Sequence, residues 1–516
     1  MKKLKKLGSV LLALAVMFVM TSTAFADGET TYSLTITGTK TGHTYEVYQI
    51  FTGDISGNAG SSVLSNIKYG ANYGGKTPGT KVPAEEISKI SDAYAFVKKI
   101  TLSGDPVKKD VASNAGSTTI TGLVPGYYLV KDSKAVTGDD AATKYIVQVV
   151  GNTSVEVKSS VPSVTKKIID TEEVDVADYN IGDDVTFRLT GTLPSTLDDY
   201  ATYKYVFHDT LSEGLTLNAG SVKVYLDNDG FERVDITQNF IFDKQDHSLT
   251  VSSDNVKGIT EVTANSKIVV EYTAKLNSSA EVGTPGNENE VYLEFANNPN
   301  QSGDGTVDTG STPKDEVIVF TYELDVTKVD GADEKIKLKD AEFKLRSGEK
   351  WAKVDANNKI TEWADTEAEG STLTSGSDGV FKVIGLDAGT YYLKETKAPV
   401  GYNLLEDEIA LTIEATLSEI SNYSGTPAQA LTGLTIKVNG GTPADGVITT
   451  GIVTTTVVNN AGTVLPSTGG IGTTLFYVIG GVLVLAAIVL LVTRRRMREE
   501  STVYYADRGV YSPVQQ

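Results

Sequence analysis

The sequence predicts a mainly β chain: sandwich domains in tandem, followed by one C-terminal membrane-spanning helix. Three observations carry this. Short segments alternate apolar and polar residues between Gly-, Asp- and Thr-rich turns, as in Tyr45-Glu-Val47-Tyr48-Gln-Ile50 and Val185-Thr-Phe187-Arg-Leu189. Two stretches echo others further along: Gly122-Leu123 with Gly126-Tyr127-Tyr128-Leu129 matches Gly385-Leu386 with Gly389-Thr390-Tyr391-Tyr392-Leu393, and Val164-Thr-Lys166 matches Val326-Thr-Lys328, which suggests related sandwiches. Finally, Thr474 to Val492 is apolar and carries no charge. As a helix it spans the roughly 30 Å hydrocarbon layer at ~1.5 Å per residue. Arg494-Arg495-Arg496 holds its end on the cytoplasmic side.

At the other end, Lys2, Lys3, Lys5 and Lys6 precede an apolar run from Leu7 to Met20 and a small-x-small pattern ending at Ala26. This reads as a secretory signal peptide, residues 1–26. The chain has no cysteine in 516 residues, so an exported protein must be stapled by something other than disulfides, or not at all. The net charge of −20 argues against nucleic acid and suits a solvated surface structure. His43, His208 and His247 are scattered and there is no thiol. That excludes a zinc cluster and cysteine catalysis, and no Gly-rich phosphate loop joins a strand to a helix. The expectation is a protein that is not an enzyme and uses no metal and no cofactor. Asp227-Asn-Asp229-Gly230 reads as a tight hairpin turn rather than a calcium loop.

The ectodomain divides into three. The first domain, 27–160, has strands at Leu34–Ile36, Tyr45–Ile50, Tyr127–Val130, Tyr145–Val150 and Val155–Val157. Between Ile87 and Ile100, after Pro83, Ile87, Ile90, Tyr94 and Val97 share one helical face, which predicts a helix. Lys158 to Pro162 is the junction. The second domain, 161–321, opens at Val164-Thr-Lys166-Lys-Ile168 and ends with Val291 to Phe295 and Val317 to Phe320; Asn300 to Pro313 is a loop. The third, 322–462, opens at Leu324-Asp-Val326-Thr-Lys328 and closes at Val457-Val-Asn459. Residues 463–498 form the C-terminal signal, with the helix at 474–493, and 499–516 a cytoplasmic tail.

Three polar residues of the third domain fall on inward positions. Lys328 shares parity with Leu324 and Val326, Glu395 with Tyr391 and Leu393, and Asn459 with Val457. A buried lone lysine is costly. Together the three can react. In an apolar site the lysine loses its proton and becomes a nucleophile, while the carboxylic acid keeps its own and shuttles protons as ammonia leaves the asparagine. The product is a Lys–Asn isopeptide bond. The second domain offers a parallel set. Lys166 shares parity with Val164 and Ile168, Asp209 with Tyr205 and Phe207, and Asn297 with Val291, Leu293 and Phe295. Lys167 and Asn298 are the register alternatives.

Two motifs carry a family resemblance. Leu465-Pro466-Ser467-Thr468-Gly469, followed by the apolar span and the basic stop, resembles the LPXTG signal of sortase substrates. That resemblance implies cleavage between Thr468 and Gly469 by a sortase, then transfer of the acyl group to an amine. Tyr391-x-Leu393-x-Glu395-Thr396-x-Ala398-Pro399-x-Gly401-Tyr402 matches the pilin E-box at every fixed position. The third domain therefore resembles a Cna B-type domain, which implies immunoglobulin-like (Cna-type) sandwiches and maps the family's Lys, Glu and Asn onto Lys328, Glu395 and Asn459. Phe207-His-Asp209-Thr-Leu-Ser-Glu-Gly-Leu and Glu294-Phe-Ala-Asn-Asn-Pro resemble the Cna A-like middle domain of major pilins, whose acid is Asp. Aligning Tyr127-Tyr-Leu129 on Tyr391-Tyr-Leu393 puts Lys131 where Glu395 sits and Asp132 on the opposite face, so no isopeptide bond is expected in the first domain.

The resemblance implies an LPXTG-anchored backbone pilin of a Gram-positive bacterium. Its partners would be polymerising and wall-anchoring sortases, further copies of itself, ancillary pilins, peptidoglycan, and host or microbial ligands. Backbone pilins commonly carry the acceptor lysine in a YPKN motif, which is missing here. Lys158, out of phase with Val155 and Val157 and so exposed at the junction, takes that place. The alternative is a monomeric wall-anchored adhesin or ancillary pilin.

Overall fold

A computed structural model describes residues 30–57, 62–88, 96, 99–133, 136–301, 307–462 and 471–505. The expected signal peptide and the Leu465–Gly469 motif lie outside them, as does most of the expected 87–100 helix. What is described there is the short helix Ala84–Ser88 and helical backbone at Phe96 and Lys99.

Residues 32–156 fold as a three-stranded and a five-stranded sheet. Tyr32–Thr39 lies in the middle of the smaller sheet, antiparallel to Gly116–Leu123 and parallel to Thr153–Glu156. The larger sheet is built on Thr44–Ser56, which pairs with Gly126–Asp132 and Val63–Tyr69. This sheet is apolar on both faces. One packs Tyr45, Val47, Tyr128 and Val130 against the smaller sheet. The other packs Tyr48, Ile50, Phe51 and Leu129 under Tyr69, Val82 and Phe96. A sheet covered on both faces loses the apolar–polar alternation that marks which side is core.

Residues 164–320 form two seven-stranded sheets. Val164–Ile169 pairs with Asp184–Thr192, which pairs with Lys267–Leu276. In the facing sheet Asn287–Ala296 lies between Tyr205–Leu211 and Asp315–Phe320. Strict alternation in these strands puts Val185, Phe187, Leu189, Phe207, Leu293 and Phe295 between the sheets, fully buried.

Residues 322–459 form a three-stranded and an eight-stranded sheet. Tyr322–Asp330 runs between Val380–Leu386 and the last strand, Ile452–Asn459, to which it is parallel. First and last strands thus run side by side, with Lys328 opposite Val457 and Asp330 opposite Asn459. Gly389–Lys397 lies in the facing sheet, where Glu395 pairs with Phe343.

The second and third sandwiches share one continuous apolar core, whereas the first keeps its own. Their joint is close-packed. Gly283 and Gly451 meet backbone to backbone with φ of 66° each, and a Cβ on either would lie within 2.4 Å of the other's backbone. Asn180 Oδ1 accepts from Asp387 N at 3.2 Å and from the Tyr391 hydroxyl at 3.1 Å, and Tyr423 donates its hydroxyl to Glu288 at 2.6 Å. Beyond the sandwiches, Ile471–Tyr505 is one helix; Leu475–Met497 is long and apolar enough to cross a membrane. The helix continues past the three arginines as far as Tyr505.

Candidate functional site: two buried lysine–carboxylate–asparagine clusters

The third sandwich brings Lys328, Glu395 and Asn459 together. Two parallel strands and the facing sheet supply the three side chains, and each is buried. Lys328 Nζ donates to Asn459 Oδ1 at 2.5 Å and to the Val457 carbonyl at 3.1 Å. Asn459 Nδ2 donates to both oxygens of Glu395 at 3.0 Å, and to the Asn403 carbonyl at 2.9 Å. Leu405 N donates to Glu395 Oε2 at 2.8 Å, which fixes the carboxyl group, and Lys328 Nζ lies 4.0 Å from Glu395 Oε1. Burial pushes the Lys328 amine down from 10.5 to about 8, partly opposed by the Glu395 charge. The amide is gripped at its nitrogen by a carboxylate, and the amine stands at its carbonyl.

The second sandwich buries Lys166 and Asp209 in direct contact, the lysine donating to Asp209 Oδ2. Desolvation again dominates. It lowers Lys166 to about 8 and raises Asp209, with the mutual attraction of the pair acting the other way in each case. The third member of the cluster is Asn289. Lys166 Nζ donates to Asn289 Oδ1 at 2.7 Å and to the Tyr272 hydroxyl at 3.1 Å. Tyr272 donates to Asp209 Oδ1 at 2.9 Å and accepts from Asn289 Nδ2 at 2.8 Å. Here the carboxyl reaches the amide through a tyrosine. Phe187 and Tyr272 stack at 5.4 Å beneath the amine.

Asn297, expected in this role, stands elsewhere. It follows the strand Asn287–Ala296, eight residues beyond Asn289, and parity cannot tell the two apart. Register decides: Asn289 faces Leu211 across the sheet, two residues from Asp209. Asn297 instead joins the first two sandwiches. Its Nδ2 donates to the Val136 carbonyl at 2.7 Å and its own carbonyl accepts from Ala142 N at 2.7 Å. The register alternatives are engaged outside the cluster as well, Lys167 with Asp175 at 2.5 Å and Asn298 with Asp308 at 2.9 Å.

Among the described residues the buried lysines are Lys166 and Lys328; the first sandwich has none. Its inward carboxylate is Asp132, not the residue at the position of Lys131. Asp132 sits 3.1 Å from His43 Nδ1, and Asp140 2.8 Å from Nε2. The two carboxylates, Asp132 foremost, hold the imidazole up at about 9 against the cost of burial. The parity reading fails here because Leu129, used for the alignment, packs on the outer face of a sheet that is apolar on both sides. This cluster anchors the segment that meets the second sandwich. Thr143 N donates to Asp132 Oδ2 at 2.7 Å, and the Thr143 hydroxyl donates to the Lys158 carbonyl at 3.0 Å. Lys158 itself is exposed.

Comparison with known proteins follows the same division. Residues 181–299 match the model of the Gram-positive pilin backbone subunit 2, Cna-B-like domain. Residues 322–425 match the SpaA prealbumin-like fold domain, and 457–498 the LPXTG cell wall anchor motif. The trypsin-resistant surface T6 protein of Streptococcus pyogenes serotype M6 is 26% identical over 446 residues, covering 79% of this chain and 77% of its own. Fimbrial subunit type 2 of Actinomyces naeslundii is 28% identical over 274 residues, 46% of this chain and 48% of its own. The solved T6 backbone pilin of serotype M6 S. pyogenes, described as a modular three-domain structure, superposes with a TM-score of 0.52 at 21% identity, covering 85% of this chain and all of that one. In succession the chain carries a Gram-positive pilin backbone domain, a prealbumin-like domain and an LPXTG cell wall anchor, the make-up of a cell-wall-anchored pilus backbone subunit.

Proposed function

We propose that this backbone subunit staples itself twice and is then joined head to tail with its copies. In each cluster the neutral amine attacks Cγ of the asparagine. The Cγ–N bond to lysine forms, the Cγ–Nδ2 bond breaks, and ammonia leaves with the proton taken from the amine. Glu395 touches the departing nitrogen and lies within reach of the amine, so it can carry that proton. In the second sandwich Asp209 takes the proton from Lys166 directly and passes it through the Tyr272 hydroxyl to Asn289. The single observation behind this reading is a desolvated lysine with its Nζ at the carbonyl of a carboxyl-linked asparagine, built twice, from adjacent parallel strands in the third sandwich and across the two facing sheets in the second. The bonds would tie Lys166 to Asn289 and Lys328 to Asn459, so that tension along the chain runs through covalent links.

Polymerisation uses the other signal. The enzyme thioester formed at Thr468 would be opened by the amine of Lys158 on the next subunit, which releases the sortase thiol and leaves a Thr–Lys amide. A wall-anchoring sortase would transfer the last subunit to peptidoglycan. In cells carrying a polymerising sortase, Lys158→Ala should abolish the high-mass ladder on denaturing gels while wall-linked monomer persists. A ladder that survives would contradict Lys158 as acceptor. The branched peptide would then be sought on Lys144, at the same joint, whose amine burial holds below its ordinary value.

A further inference from the structure

The joint between the first two sandwiches is closed by a buried charged cluster that the coupling chemistry above does not use. Segment 136–143 of the first sandwich lies on the second. Asn297 Nδ2 donates to the Val136 carbonyl at 2.7 Å, Ser311 N to the Gly138 carbonyl at 2.9 Å, and Ala142 N to the Asn297 carbonyl at 2.7 Å. The approach is close, since a Cβ on Gly310 would lie 2.5 Å from the Gly138 carbonyl oxygen. The same segment is tied back to its own sandwich through His43. One imidazole nitrogen meets Asp132 at 3.1 Å and the other meets Asp140 at 2.8 Å. Asp132 also accepts from Thr143 N at 2.7 Å, and Asp140 from Ala141 N at 2.8 Å. His43 and Asp132 are 6% and 3% exposed. A neutral imidazole has one N–H and one bare nitrogen, so it can donate to only one carboxylate. The protonated ring donates to both.

We propose that His43 is a positioning residue for the acceptor amine: protonated, it locks segment 136–143 between the first two sandwiches and so fixes the backbone that carries Lys158. The proposal rests on the reading of Lys158 given above. The link is short. Thr143, held by Asp132, donates its hydroxyl to the Lys158 carbonyl at 3.0 Å. From the second sandwich, Asn300 Nδ2 reaches the Asp132 and Thr143 carbonyls at 3.4 and 3.3 Å. Released, the segment would leave Lys158 on a linker between two sandwiches with separate cores; locked, it holds the lysine in one place against both.

The lock responds to pH. Around the ring stand Asp132, Asp140, Lys40 and Tyr45, whose own ring stacks on the imidazole at 5.9 Å. Lys40 Nζ pairs with Asp140 at 3.2 Å, so two carboxylates face two cations. Burial pushes the hydroxyls of Tyr45 and Tyr145, which border Asp132, well up, and they stay neutral. The hydrogen bonds to Asp132 and then Asp140 raise His43 from 6.5 to about 9, against the cost of burial. A raised group stabilises the locked state fully below its free value of 6.5, and that contribution is lost as pH rises to about 9.

The test measures coupling on the full chain in detergent, with a polymerising sortase and a Leu-Pro-Ser-Thr-Gly donor peptide. Every chain carries Thr468→Ala, so that it serves only as acceptor. Rates are divided by those of a free peptide of residues 153–162, which removes the enzyme's own pH dependence. The relative rate of the parent should fall roughly tenfold between pH 6.5 and 9. That of His43→Gln should be low at pH 6.5 and flat across the range. Asp140→Asn should lose about threefold, and Asp140→Glu should recover most of it. Trypsin cleavage at Lys144 should rise in step with each loss, while an unchanged melting of the third sandwich reports folding. A flat parental profile, or parental coupling by His43→Gln, would overturn the positioning role and leave Lys158 as acceptor. Parental coupling by Lys158→Ala would instead remove the acceptor, and the positioning role with it.

Discussion

Glu395→Gln is expected to leave the third sandwich uncrosslinked and far less stable. The substitution keeps the shape of the side chain and its contact with Asn459 but removes the group that moves protons between Lys328 and the amide. The bond it prevents would close a chain separation of 131 residues. On the chain-entropy account that closure stabilises by about 5 kcal/mol, and for a domain of this size that is a fall of roughly 15–20 °C in Tm. The effect is compounded because Lys328 and Asn459 stay buried as separate polar groups. Calorimetry on the ectodomain, with trypsin digestion as a second readout, checks it. A third-sandwich transition at the parental temperature would show that the bond either forms without Glu395 or contributes nothing.

Asn289→Ala and Asn297→Ala should behave as opposites. Asn289 is the amide beside Lys166, so its loss should remove the staple of the second sandwich, which would close a separation of 123 residues, again worth about 5 kcal/mol. The second sandwich should then melt at lower temperature and lose its resistance to proteases. Asn297→Ala should leave that staple intact. Its cost is the side-chain contact to the Val136 carbonyl, while the backbone carbonyl that accepts from Ala142 N stays, so cleavage should increase near the junction between the first two sandwiches instead. If Asn297→Ala prevents cross-linking and Asn289→Ala does not, the register described here is wrong. Tyr272→Phe offers an intermediate case. The ring stays, the proton path from Asp209 to Asn289 is cut, and cross-linking should slow without loss of the fold.

The contrast between the two clusters shows what the sequence could and could not convey. In the third sandwich, parity placed Lys328, Glu395 and Asn459 inward, and the E-box tied the carboxylate to a known pattern. The structure brings the same three side chains into contact. In the second, parity was equally informative about faces, and Lys166 and Asp209 do meet. Yet Asn287, Asn289 and Asn297 share that face, and a period of two says nothing about position along a strand. Only the pairing with Tyr205–Leu211 singles out Asn289. Tyr272 left no sequence signal, because a tyrosine at an inward position reads as ordinary core. In the first sandwich the expected face was inverted, since burial on both sides of the larger sheet erases the alternation that parity relies on. The His43–Asp132–Asp140 cluster depends on residues brought together across that sheet and was equally hidden.

The central claim is that both clusters have reacted in the mature protein. It is tested most directly by the intact mass of the ectodomain, residues 27–464. Each Lys–Asn bond removes one ammonia, about 17 Da. The account predicts a mass about 34 Da below that calculated from the sequence, with one ammonia restored by Asn289→Ala and the other by Glu395→Gln. A mass equal to the calculated value would contradict it, leaving two buried polar clusters and an anchored subunit without covalent staples.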